Sequence, residues 1–264
     1  MKKISVVILF IVSVVFARAQ TKPDTAAIIN NAVKEYPVLW QQAAAEYRAL
    51  CYQAFNLAQL RMDKLTVKKS LRKLAIITDL DETILDNSFS EAQLIKEGKE
   101  HTNASWKNWV NKSAATAVPG AVTFLQAASK KGVTIFYISN RDVSDVNSTL
   151  VNLKKLQLPD ADTSHMIFKS NESSKESRRQ QVMGHFEVIM LLGDNLNDFM
   201  NVFERKNIAD RFAETDKVRA EWGKRFIVLP NATYGEWESA LYHYQNMTPA
   251  QKEAARKNLL IGYK

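Results

Sequence analysis

Two aspartates two positions apart, Asp79 and Asp81, follow the apolar run Leu74 to Ile77 and precede Thr83. The run has the length and β-branched content of a buried strand. Charge at the end of such a strand falls in the crevice where α/β proteins bind ligands. Two carboxylates there are costly unless a cation or a proton offsets them. Taken alone, the pattern also fits an acidic loop in which Asp81 or Thr83 caps a helix. Other element ends carry complementary groups: Ser139 after the run Val133 to Ile138, Lys175 near a helix start, and Gly193-Asp194-x-x-x-Asp198 after Val188 to Leu192. In one parallel sheet these groups share an edge. Four carboxylates at close range repel unless a divalent cation sits among them. Hard oxygen ligands point to Mg²⁺, with a phosphate oxygen in its shell. One carboxylate can then attack a phosphoryl group and form an aspartyl-phosphate. A second can protonate the leaving oxygen and later take a proton from water. A hydroxyl and an ammonium can hold the non-bridging oxygens as charge develops.

The elements that must position these groups are legible as alternating periodicities. Apolar runs at 74–77, 133–138, 165–168, 188–192 and 226–229 are separated by helical segments, which predicts right-handed crossovers and a mainly parallel sheet. The expected class is α/β, a Rossmann-like sheet flanked by helices. A helical extension over residues 20–73, interrupted at Pro37, is expected to pack on the core. Residues 86–118 read as a small cap insertion after the first strand, carrying Trp106 and Trp109 in a polar context. The core with its cap spans 74–264, and Trp237 to Leu260 reads as a helical tail.

The set Asp79-x-Asp81-x-Thr83, Ser139, Lys175 and Gly193-Asp194-x-x-x-Asp198 resembles the haloacid dehalogenase-like superfamily. More closely, the chain is similar to the class C bacterial acid phosphatases, the lipoprotein-type acid phosphatases and 5'-nucleotidases. Further similarity lies in Leu85-Asp86-Asn87-Ser88, Trp106 to Val110, Ala117-Val118-Pro119-Gly120, Ser139-Asn140-Arg141, Ser174-Lys175 with Arg178-Arg179, and Leu229-Pro230-Asn231 through Trp237. The resemblance implies a Mg²⁺-dependent acid phosphatase acting on small phosphomonoesters, nucleoside monophosphates or aryl phosphates. It implies that Asp79 is nucleophile and metal ligand, and that Asp81 is general acid/base and binds the metal through its backbone carbonyl. Ser139, Asn140 and Lys175 would bind phosphate, with Lys169 a competing lysine. Asp194 would ligate the metal, and Asp198 would complete that site or orient Lys175. Trp106, Tyr234 and Phe89 would stack on the leaving group. A homodimer is implied by the family alone. Dehalogenases of the superfamily lack the second aspartate and transport ATPases have Thr there, so Asp81 argues against both. The alternative is an inactive scaffold, such as the plant storage proteins that resemble this fold.

Composition agrees with a soluble α/β protein: 264 residues, 46% hydrophobic, 24% charged, with 8 Gly and 6 Pro. No basic-aromatic patch argues for a nucleic-acid polymer as partner. Residues 1–19 read as a cleaved signal peptide: Lys2-Lys3, an apolar run from Ile4 to Phe16, then Ala17-Arg18-Ala19. Cleavage there would remove Lys2, Lys3 and Arg18 and lower the formal net charge of +8 by three, to +5. No cysteine follows the cleavage site, where lipoprotein relatives carry one, so the expectation is a periplasmic or secreted enzyme without a lipid anchor. Cys51, the one cysteine, reads as a buried helical thiol.

Overall fold

The computed structural model describes residues 25–66 and 71–263; the signal-like segment 1–19 lies outside the described residues. The strands are β1 (Leu74–Thr78), β2 (Leu85–Asp86), β3 (Thr116–Ala117), β4 (Thr134–Asp142), β5 (Met166–Lys169), β6 (Glu187–Gly193) and β7 (Phe226–Val228). The helices are α1 (Thr25–Ala43), α2 (Ala45–Thr66), α3 (Ser88–Glu97), α4 (Asn103–Lys112), α5 (Ala121–Lys130), α6 (Val146–Lys155), α7 (Glu176–His185), α8 (Ile208–Lys217), α9 (Glu236–Leu241) and α10 (Pro249–Leu259).

Five strands form one parallel sheet in the order β5-β4-β1-β6-β7. The chain runs outward from β1 through β4 to β5, then returns to the other side of β1 for β6 and β7. That reversal opens a crevice beyond the carboxyl end of β1. Successive strand residues face opposite sides. Ile76, Ile135, Tyr137, Met190 and Leu192 join Phe55, Phe124 and Leu125 in one buried layer. Ala75, Ile77, Phe136, Ile138 and Leu191 join Val182 and Phe199 in the other. Burial on both faces is why these strands read as unbroken apolar runs rather than as alternating ones.

Helix α1 continues through Pro37 and breaks at Ala44 instead. A proline removes one helical donor, but side-chain bonds hold this helix on both sides of it. Lys34 pairs with Glu91 at 2.9 Å, Gln41 donates to Asp86 at 2.8 Å, and Gln42 donates to Ser88 at 3.1 Å. Tertiary contact overrides the local signal. Cys51 is buried in α2, and burial pushes its thiol up to about 11.

The short antiparallel ladder Leu85↔Ala117 and Asp86↔Thr116 closes the base of the insertion that carries α3 and α4. Thr102 and Ser105 form a capping box at the start of α4. Its other contacts fasten it to the core: Lys107 donates to Ser144 at 2.7 Å and pairs with Asp145, and Ser113 donates to the Ser148 carbonyl at 2.7 Å. The single helical tail expected after Trp237 is in fact α9 and α10. Left-handed His243 and Tyr244, at φ 52° and 59°, turn the chain, and Thr248-Pro249 restarts it with a capping box.

Candidate active site

Asp79 is the first residue beyond β1, and its N–H donates to the Leu192 carbonyl of β6 at 3.0 Å. This seats its carboxylate between the two central strands, where it is buried. Lys175, at the start of α7, donates to Asp79 Oδ1 at 2.5 Å and to Asp198 Oδ1 at 2.6 Å. Asp194, one residue past β6, accepts from Thr83 Oγ1 at 3.1 Å and from Asn231 Nδ2 at 2.8 Å. Asp79, Asp194 and Asp198 each offer an oxygen, all within 4.8 Å of one another.

Gly193 makes that closeness possible. A Cβ there would lie 2.4 Å from Asp198 Cβ and 2.5 Å from its Oδ2, so the strand end must be bare where Asp198 folds over it. The second oxygen of Asp198 accepts the Asn195 N–H at 3.0 Å, which closes a tight turn. Gly193→Ala is expected to push Asp198 off Lys175, lower kcat by roughly 10²-fold and destabilise the fold by about 1–3 kcal/mol. Turnover and thermal melting of the variant check both parts.

The charges are far from balanced. Burial pushes the Asp79 carboxyl well above its ordinary range; Lys175 pulls it back, while Asp198, Asp194 and Asp81 add to the rise. Burial and the neighbouring Asp198 push Asp194 up to about 7. Burial opposes the Lys175 ammonium, but Asp198 and Asp79 together hold it well above its ordinary value. Three buried carboxylates against one ammonium favour uptake of protons or of a hard divalent cation, and the all-oxygen donor set fits the latter.

Asp81 faces a different set of partners. Its Oδ1 accepts from Arg141 Nη2 at 2.7 Å, Arg141 Nε at 3.1 Å and Asn87 Nδ2 at 2.9 Å. Its Oδ2 has one contact, to Arg141 Nε at 3.2 Å. Arg141 is buried, donates to Thr149 at 2.9 Å, and lies 5.4 Å from the centre of the Trp106 ring.

Asp79, Asp81, Asn140, Lys175, Asp194, Asp198, Trp106 and Tyr234 all line one cavity of about 860 Å³. The Tyr234 hydroxyl donates to Glu82, a buried residue with left-handed φ of 57° whose carboxyl burial pushes well up. At the rim, His101 and Lys34 share Glu91; burial alone would raise that carboxyl, but the two partners bring it down to about 2. Ser139 is wholly buried and does not itself line the cavity, and its Oγ accepts the Arg141 N–H at 3.0 Å. Phe89 is half-exposed on α3 and does not line the cavity. Lys169 ends the edge strand β5 away from the carboxylates.

Several residues of the site carry no role in the sequence reading: Glu82, Asn87, Arg141, Arg178, Arg179 and Asn231. The two adjacent arginines were the most accessible signal, since they follow Lys175 by three and four positions and share its helix face. Arg178 donates to the Ser139 carbonyl at 2.7 Å and to Asn140 Oδ1 at 2.6 Å. Arg179 donates to the carbonyls of Asn197 and Asp198 at 2.8 and 3.0 Å. Together they bolt α7, and with it Lys175, to the ends of β4 and β6.

A sequence profile described as HAD superfamily, subfamily IIIB (acid phosphatase) matches residues 12–237. Among solved structures, the class C acid phosphatase from Bacillus anthracis is 37% identical with a TM-score of 0.85, covering 89% of this chain and 99% of that one. The tungstate-bound form of the class C acid phosphatase from Bacillus anthracis is likewise 37% identical, with a TM-score of 0.86, covering 90% of this chain and all of that one. Match length, identity and the shared fold agree with the acidic edge described above, and the chain belongs to the subfamily IIIB acid phosphatases of the HAD superfamily.

Proposed function

We propose that this phosphatase hydrolyses nucleoside or aryl phosphomonoesters through an aspartyl-phosphate on Asp79, with Mg²⁺ as its cation. The observation that carries the reading is the convergence of Asp79, Lys175, Asp194 and Asp198 at the floor of a cavity walled by Trp106 and Tyr234. Asp79, Asp194, Asp198 and the Asp81 carbonyl would hold the Mg²⁺, which when bound neutralises the phosphoryl oxygens and the buried carboxylates. An Asp79 oxygen attacks phosphorus while the bond to the leaving oxygen breaks, and Asp81 gives that oxygen a proton. Asp81, now a carboxylate, takes a proton from water as the water attacks the acyl phosphate. Inorganic phosphate leaves and Asp79 is restored. Lys175 exchanges part of its bonding to Asp79 and Asp198 for a non-bridging phosphate oxygen, with Asn140 and the Ser139 hydroxyl beside it.

The class C acid phosphatase from Bacillus anthracis binds tungstate, a tetrahedral oxyanion like phosphate, which supports a phosphoryl subsite in this chain too. Trp106 and Tyr234 would sandwich the ring of the leaving group. Export by the signal-like segment 1–19 without a lipid anchor, and a homodimer, belong to the same reading. An inactive scaffold finds no support, since Asp79 is present with its partners in place.

The test is a panel of nucleoside monophosphates, aryl phosphates and sugar phosphates assayed with Mg²⁺ across pH. Ring-bearing esters should give the highest kcat/KM, and rates should fall as pH rises towards neutral because the leaving oxygen must receive a proton. Equal preference for sugar phosphates would remove the aromatic subsite, and a rate still climbing above neutral pH would remove the acid step.

A further inference from the structure

Asn87 is buried at the foot of the cap, where several parts of the site meet. Its Nδ2 donates to Asp81 Oδ1 at 2.9 Å, its Oδ1 accepts from Trp109 Nε1 at 2.8 Å, and its backbone N–H donates to Glu82 at 2.9 Å. An indole N–H can only donate, so Trp109 fixes which end of the amide is oxygen. The amino end must then face Asp81. A flipped amide would set oxygen against carboxylate and N–H against N–H on a side chain that is itself buried. Asp81 Oδ1 accepts from Asn87 Nδ2 and Arg141 Nη2, while the single Nε–H of Arg141 is shared between Oδ1 at 3.1 Å and Oδ2 at 3.2 Å, the one contact of Oδ2 among the described residues. Oδ1 holds two undivided hydrogen bonds and Oδ2 only a share of one, so Oδ2 is the oxygen left to carry the proton.

We propose that Asn87, oriented by Trp109 of the cap, is the positioning residue that commits Asp81 Oδ2 to proton transfer. The inference rests on Asp81 being the proton donor of the proposed function. Its chemistry makes a specific demand. An alkoxide cannot leave without a proton, whereas a nitrophenolate leaves as the anion. Loss of a correctly placed acid therefore slows alkyl phosphates far more than 4-nitrophenyl phosphate, and a general loss of structure slows both alike.

Trp109→Phe keeps the aromatic packing and removes only the N–H that orients the amide. Its kcat/KM, which reports transfer from the ester and not hydrolysis of the shared aspartyl-phosphate, should fall roughly 10-fold on an alkyl phosphate and about 2-fold or less on 4-nitrophenyl phosphate, a fraction of the 10²–10⁴-fold that a general acid supplies. Asn87→Ala should show the same split, enlarged; if that variant does not fold, Trp109→Phe carries the test alone. Asp81→Asn is the reference. If Asp81→Asn splits the two substrates and Trp109→Phe does not, the positioning role is overturned while the proton donor stands. If Asp81→Asn itself lowers kcat/KM equally for both substrates, the proton-donor assignment falls and takes this inference with it.

Discussion

Asp79→Asn is expected to abolish phosphate release, with kcat lower by roughly 10⁴-fold or more, the scale of removing a nucleophile that works as part of a unit. The substitution is nearly isosteric, and the amide oxygen can still accept from Lys175, which now contacts Asp79 at 2.5 Å. It also removes one of three crowded carboxylates, so the metal-free variant should melt no lower than the parent at neutral pH. Activity and stability are thus expected to part company. A phosphate-release assay beside a thermal melt shows it, and near-normal turnover would mean that the phosphoryl group never visits Asp79.

Removal of the divalent cation should be nearly as damaging. Excess EDTA is expected to bring turnover to background and added Mg²⁺ to restore it; undiminished turnover in chelator would overturn the metal assignment. Stability should respond with a defined sign. The Asp194 carboxyl is raised from 3.8 to about 7, and that of Asp79 is raised as well, so the folded protein holds protons here that the unfolded chain has released. Where the folded state binds more protons, stability falls as pH rises. For the metal-free protein, the penalty from Asp194 is absent below about pH 4, grows between pH 4 and 7, and is complete above 7, and Asp79 adds to it with the same sign. A divalent cation held by the cluster would take the place of those protons, so the rise in Tm on adding Mg²⁺ should be larger at pH 7 than at pH 4. Melts across that range with and without Mg²⁺ measure the difference.

The fold was legible because both faces of the sheet are covered, which turned β1, β4 and β6 into unbroken apolar runs with polar residues at their carboxyl ends. The acidic residues were legible for the same reason: Asp79 and Asp194 immediately follow strands. What stayed hidden depends on pairs far apart in the chain. Tyr234 meets Glu82 across 152 positions, and Arg141 meets Asp81 across 60. Neither has a local signature. Pro37 misled because the contacts of α1 with the cap outweigh the missing donor. Helix α8 went unread because its apolar positions are few, and Asn207 capping Asp210 at 2.9 Å is a short-range cue without a long periodic run behind it.

The bonds that tie Lys107 and Ser113 to residues 144–148 have a bearing on where the phosphoryl group ends up. A cap stitched down in this way is a fixed wall, and the rim beside it is open to solvent, with the Lys34 and His101 side chains 25% and 42% exposed. Enzymes that hand a phosphoryl group to a second organic acceptor need to shut water out while the reactive acyl phosphate exists. A pocket whose rim is open to solvent leaves water as the acceptor nearest to hand. The stitching of α4 thus favours hydrolysis over transfer, a bias set by the architecture around Asp79 and not by Asp79 itself.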